Sequence, residues 1–148
     1  MRFLLYDSVC SIEKGRTIVG TKTFSLSEEY LRGHYSKDAI VPGLLLIEAM
    51  AQLLGWLIIV SNDFVISTFL ALLDDVWVPP RLRPGFRADI RGEIIATSRR
   101  DSLGKATVSV DGEVIAAANR IIYGHIDRAE PDRLRGLFRY YSGWAEPL

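Results

Sequence analysis

The chain has 148 residues, enough for one domain with a substantial core, and its 49% apolar and 24% charged composition is that of a globular protein. Lysine plus arginine equals aspartate plus glutamate at 18 each, which excludes the basic excess of a nucleic-acid binder. A single cysteine excludes an internal disulfide, and two histidines beside it are too few for a Cys/His zinc set.

Along the chain, residues 3–24 are rich in β-branched side chains and carry a break at Lys14-Gly15, which predicts two extended stretches joined by a turn. Cys10, in the first of them, is expected to be a small buried or half-buried side chain. The N-terminus meets Asp7 too early for a signal-peptide apolar region, so a cytosolic protein is expected. Ser25-Leu26-Ser27-Glu28-Glu29 predicts a short helix start, with serine as cap and acids in the first turn.

Val41-Pro42-Gly43 then leads into 44–58, a run too long for a strand, mostly helix-favouring and apolar nearly all round, as a helix wrapped by a sheet should be. Asn62-Asp63 ends it. Pro42, Gly43, Glu48, Gln52 and Gly55 interrupt the stretch 40–60, making it a poor membrane span and a good buried helix.

The pattern afterwards is β. Residues 64–73 form an apolar run, Asp74-Asp75 is expected to interrupt it before Val76-Trp77-Val78, and 79–85, with three prolines, predicts a loop or edge. Residues 86–97 predict a strand. Residues 106–110 and 113–123 flank Asp111-Gly112, the dipeptide of a tight type I′ hairpin. In 127–148 the spacing of Leu134, Leu137, Phe138 and Tyr141 predicts a short amphipathic helix packed on the domain or a partner. One long helix against an antiparallel sheet is an α+β arrangement, with neither repeat nor linker to divide it.

Glu48 sits in the middle of the apolar helix, where a carboxylate is rare unless paired or used, and Gln52 shares its face one turn on. His34 lies just ahead of the loop into that helix. The helix start offers unpaired backbone N–H groups at Gly43 and Leu44 that can receive developing negative charge. Each residue has a structural alternative: Glu48 facing solvent, His34 as an ordinary surface or core histidine. Together they make a base, a second proton carrier and an anion site, a kit suited to proton abstraction beside a thioester carbonyl.

Gly33-His34-Tyr35, a short loop, then Ile40-Val41-Pro42-Gly43 and Glu48-Ala49-Met50-Ala51-Gln52 resemble the signature of the β-hydroxyacyl-acyl carrier protein dehydratases, including the fourteen-position step from histidine to glutamate. Residues 75–85 and 110–114 are similar to that family's Pro-Gly segment and terminal hairpin, so the resemblance spans about 3–124, leaving 125–148 as a tail or short helix. The resemblance implies a hotdog fold working as a homodimer, with the histidine of one protomer meeting the glutamate of the other beside an acyl tunnel. It implies that His34 removes the C2 proton of a (3R)-hydroxyacyl thioester carried by acyl carrier protein or coenzyme A. Glu48 would then protonate the leaving C3 hydroxyl while the Gly43 amide holds the thioester oxygen, with no cofactor or metal required. Glutamate rather than aspartate at 48 points to the simple dehydratase.

The chain departs from the pattern at Tyr35-Ser36-Lys37, where Phe-Pro-Gly is usual, at Asp38-Ala39, and at Phe86 after Pro84-Gly85. These departures suit a specialised relative serving another acyl pathway. A Lys37–Asp38 pair is expected to be local and weak. His125 is read as exposed and structural, Trp56 and Trp77 as core rather than substrate platform, and Arg81, Arg83, Arg87 and Arg91 as a solvated edge, the alternative being contact with an acidic carrier or pantetheine phosphate. Two other functions compete: a hotdog thioesterase, and a non-catalytic acyl-binding subunit.

Overall fold

The computed structural model describes residues 3–32 and 38–148. Strands β1 (Ser8–Glu13) and β2 (Thr17–Phe24) are followed by a single 3-10 turn at Glu29–Leu31 and by helix α1 (Gly43–Ser61). Strands β3 (Ile66–Trp77), β4 (Phe86–Thr97), β5 (Asp101–Val110) and β6 (Glu113–Asp127) come next, and helix α2 (Pro131–Ser142) closes the chain. The strands form one antiparallel sheet in the order β1-β2-β4-β5-β6-β3. This is the expected α+β, sheet-around-helix hotdog arrangement.

The sheet wraps α1 because the helix is apolar on almost every side. Leu46, Met50, Leu53, Leu54, Leu57 and Ile58 are all fully buried. Small residues on the inner face let α1 approach: a Cβ on Gly104 of β5 would sit 2.7 Å from the backbone Glu93 O of the neighbouring strand and 2.7 Å from Leu54 Cδ2, so the position is kept to glycine. Register shifts at Leu70/Leu72, Ile94/Ala96 and Gly104/Ala106 add bulges that curve the long strands around the helix. Among the described residues, α1 is long and apolar enough, at a mean hydropathy of 2.1, to cross a membrane despite its interruptions; most of it is buried in the core, as the expected buried helix should be.

The N-terminal segment is tied down by charge. Lys22 of β2 is buried and reaches Asp7 at 3.0 Å and Glu28 at 3.3 Å, while Asp7 also accepts the Thr23 N–H at 2.7 Å. These contacts hold residues 3–7 over one face of α1.

Several local expectations are met. The turn after β1 carries Gly15 at φ 74°, and Asp111-Gly112 has positive φ at both positions (51° and 83°), as a type I′ hairpin requires. Asn62 caps α1, its side chain donating to Ile58 O at 2.8 Å. Others are corrected. Ser25 does not cap a helix; its hydroxyl bonds Ser27 in a turn, and the 3-10 turn starts from Glu28 without a side-chain cap. Asp74-Asp75 does not interrupt β3, because β6 supplies partners: Arg120 pairs with Asp74 at 3.6 Å and Asn119 donates to Asp75 at 2.9 Å. Cys10 is exposed, because β1 is an edge strand and the side chain faces outward. Trp77 is 54% exposed near the end of the other edge strand rather than in the core. His125 is structural as read, its ring contacting Ser102 Oγ at 2.9 Å and Arg99 O at 3.3 Å.

Candidate active site

Along one face of α1, Glu48, Ala51, Gln52, Gly55, Trp56 and Ile59 recur at helical spacing and line a cavity of about 490 Å³. Leu4 and Tyr6 from the N-terminal segment, Thr68 and Leu70 from β3, Tyr123 from β6 and Tyr141 near the end of α2 form its other walls. Glu48 is the only carboxylate among these lining residues. It is half-buried.

Gln52 fixes the carboxylate and is itself saturated. Its Nε2 donates to Glu48 Oε1 at 3.0 Å and to Phe3 O at 3.0 Å, while its Oε1 accepts the Leu5 N–H at 2.9 Å. All three bonds suit an amide and no other side chain of that size. The predicted Glu48–Gln52 face therefore exists, and Gln52 both lines the cavity and holds Glu48 and the N-terminal segment in position. Gln52→Leu is expected to lower stability by about 1–3 kcal/mol, because it leaves the Leu5 N–H and Phe3 C=O without their partner. Urea denaturation measures this, and the same variant should lose kcat as Glu48 is released.

Tyr123 approaches the same carboxylate. Its hydroxyl donates to Ala51 O at 2.6 Å, so its proton is committed to the helix backbone. Burial raises its pKa, and the negative charge of Glu48 adds to the effect, so it stays a neutral phenol in the cavity wall. Tyr6 is 1% exposed, and its hydroxyl makes no hydrogen bond of good geometry. Burial pushes that phenol up to about 12, with Trp56 opposing in part and Tyr141 adding to it.

Gly43 is the first residue of α1, after the extended Pro42, and the turn closes with Leu45 N–H bonding Pro42 O at 2.9 Å. The first N–H groups of a helix lack intrahelical acceptors, and Gly43 and Leu44 occupy those positions in α1, although neither is among the residues lining the cavity. The Leu44 side chain itself is 74% exposed and walls nothing in the cavity. Glycine at 43 has a packing reason: a Cβ there would lie 2.7 Å from Val78 Cγ2 and 3.0 Å from Val78 Cβ. Val78 is β-branched and stiff. Gly43→Ala is therefore expected to cost about 1–3 kcal/mol in chemical denaturation and to displace the helix start.

The segment entering α1 is clamped by the proline-rich loop. Val41 N–H bonds Leu82 O at 2.8 Å, and Asp38 forms an ion pair with Arg81. The expected Lys37–Asp38 pair involves a residue outside the described ones; Arg91 pairs with Glu93 at 3.0 Å, and all four arginines of the basic stretch, Arg81, Arg83, Arg87 and Arg91, are exposed. His34 lies outside the described residues, with Gly33, Tyr35, Ser36 and Lys37. Among the described residues no three His, Cys, Asp or Glu side chains gather as metal ligands.

Sequence reasoning located Glu48, Gln52 and Gly43 but missed the aromatic lining of Tyr6, Tyr123 and Tyr141, and it took Trp56 as core. Tyr6 and Tyr123 sit in strand-like or extended segments where nothing local distinguishes a cavity wall from a core residue. Tyr141 was visible only as one apolar position of a terminal helix.

A sheet wrapped around a helix that carries a carboxylate beside a cavity defines a hotdog-fold protein. The fold is shared with the dehydratase heterocomplex ApeI:P of Xenorhabdus doucetiae, at a TM-score of 0.65 and 17% identity over 91% of this chain and 90% of that one. It is shared also with the Streptococcus mutans protein smu.793 bound to acetyl CoA, at a TM-score of 0.67 and 15% identity over 88% and 95%. The chain belongs to the family of FabA-like 3-hydroxyacyl-[acyl-carrier-protein] dehydratases: the FabA-like domain matches residues 1–76. The FabZ dehydratase of Bacillus cytotoxicus is 33% identical over 118 residues, 78% of this chain and 81% of that protein. That of Caldicellulosiruptor saccharolyticus is 35% identical over 114 residues, 76% and 81% respectively.

Proposed function

We propose that this protein removes water from a 3-hydroxyacyl thioester to give the trans-2-enoyl thioester, acting in acyl-chain biosynthesis through His34 and Glu48. The single observation that carries this reading is a half-buried carboxylate on a sheet-wrapped helix, oriented by Gln52 and facing a largely apolar cavity. His34 takes the proton from C2. The electron pair moves through the thioester, whose oxygen is held by the Gly43 N–H at the positive end of α1. Glu48 delivers a proton to the departing C3 hydroxyl, the C3–O bond breaks, and water leaves. No electron acceptor is needed, because C2 and C3 change oxidation state in opposite directions.

The chain acts as one hotdog domain, paired with a second copy so that His34 of one protomer serves Glu48 of the other. Support for pairing comes from β3, a twelve-residue edge strand with Phe69, Leu70, Leu72 and Trp77 exposed; an open apolar edge is a surface for another strand. The acyl group arrives on acyl carrier protein or coenzyme A in the cytoplasm.

The test is to supply a 3-hydroxyacyl pantetheine and its enoyl counterpart, following enoyl absorbance and free thiol together. Double-bond change without thiol release is expected. Thiol release alone would replace this reading with a thioesterase, an activity borne by other proteins of the same fold such as HI1161 of Haemophilus influenzae (TM-score 0.62, 9% identity). Binding with neither reaction would point to the acyl-binding subunit.

A further inference from the structure

The cavity beside Glu48 has an aromatic far end that the C-terminal helix holds in place. Along α1 the lining runs from Glu48 through Gln52 and Gly55 to Trp56 and Ile59. Eight residues separate Glu48 from Trp56, about 12 Å at ~1.5 Å per residue. The Trp56 side chain leans back toward the helix N-terminus and shortens that span. Phe138 of α2 packs on the Trp56 ring at 5.2 Å and on Phe64 at 6.1 Å, and it is fully buried. Arg135 lies over the Phe64 ring at 5.1 Å, so α2 is fastened by two rows of contacts. Pro131 opens the helix, and Gly143, at φ 67°, closes it in the left-handed region. Three residues beyond Phe138, and so on the same face of α2, Tyr141 joins the cavity lining.

We propose that Tyr141 and Trp56, set in position by α2, form a wall that limits the acyl chain to medium length. This rests on the function proposed above for the nature of the occupant, an acyl chain whose C3 lies at Glu48. The wall is aromatic and braced from behind by a buried phenylalanine, so a longer chain has to displace packed rings. Beside Trp56 on α1, and facing Tyr123 and Thr68, Gly55 keeps room open: a Cβ there would lie 3.5 Å from Tyr123 Cε1 and 3.6 Å from Thr68 Oγ1, ordinary contact distances. Alanine at 55 therefore fits the fold, favours the helix, and narrows the channel from the α1 side.

The experiment uses the full chain and a ladder of 3-hydroxybutanoyl, 3-hydroxyoctanoyl and 3-hydroxytetradecanoyl pantetheines. In parallel, binding of the saturated acyl pantetheines of the same lengths is measured by calorimetry. Wild type is expected to turn over the tetradecanoyl substrate at least about tenfold less efficiently (kcat/KM) than the octanoyl one. Tyr141→Ala should recover about tenfold of that ratio, and Gly55→Ala should move it the opposite way. A change confined to stability would lower all three substrates together. Equal use of octanoyl and tetradecanoyl chains by wild type, or an unchanged ratio in folded Tyr141→Ala and Gly55→Ala, overturns the wall. A binding cut-off that shifts in both variants while no substrate reacts leaves the wall standing and rejects the dehydratase reading instead.

Discussion

Glu48→Gln is expected to lower kcat by about 10²–10⁴-fold while leaving the fold unchanged. Glutamine has the shape of glutamate, and its Oε1 can still accept the Gln52 Nε2–H that Glu48 accepts at 3.0 Å. The neighbouring bonds from Gln52 to Phe3 and Leu5 do not involve residue 48 and should persist. What is lost is the capacity to carry a proton to the leaving hydroxyl. The effect should therefore fall on kcat, with KM and the thermal unfolding midpoint close to wild type. The measurement is steady-state dehydration of 3-hydroxyoctanoyl pantetheine beside a melting curve. Retention of kcat within about twofold would remove Glu48 from the chemistry and leave it as a cavity-lining residue.

The architecture was largely legible in the sequence because its strongest signals are local. The all-round apolar run after Pro42-Gly43, interrupted by Glu48 and Gln52, reads as a helix sheathed by a sheet, and Asp111-Gly112 favours a hairpin by backbone conformation alone. Where reading failed, tertiary partners decided. Asp74-Asp75 looks like a strand breaker until Arg120 and Asn119 are brought opposite by β6. Cys10 and Trp77 are exposed because β1 and β3 are the sheet edges, which is a property of strand order and not of residue type. The site divides the same way. Glu48 is conspicuous as a carboxylate in an apolar helix, and Gly43 as a helix start. Gln52's three bonds, and the aromatic wall drawn from the N-terminal segment, α1, β6 and α2, depend on contacts between residues far apart in the chain.

Co-refolding equal amounts of His34→Ala and Glu48→Gln chains is expected to restore dehydratase activity to about a quarter of wild type, although each variant alone is inactive. In a two-fold dimer with shared sites, random pairing makes about half the dimers mixed, and each mixed dimer has one site with both His34 and Glu48 intact. The motivation is the environment of Glu48. Among the described residues its carboxylate is hydrogen-bonded by Gln52 alone, and no lysine, arginine or histidine lines the cavity. The proposed proton acceptor, His34, lies outside the described residues, and the apolar β3 edge is a surface on which a second chain can bring its own His34 alongside. Subunit exchange is verified by native mass spectrometry with one chain isotopically labelled. Mixed dimers that form and stay inactive would place each acid–base pair within a single protomer, and a His34→Ala chain active by itself would take His34 out of the reaction. Recovery near a quarter, with the melting curve of the mixture matching wild type, ties the catalytic unit to the dimer.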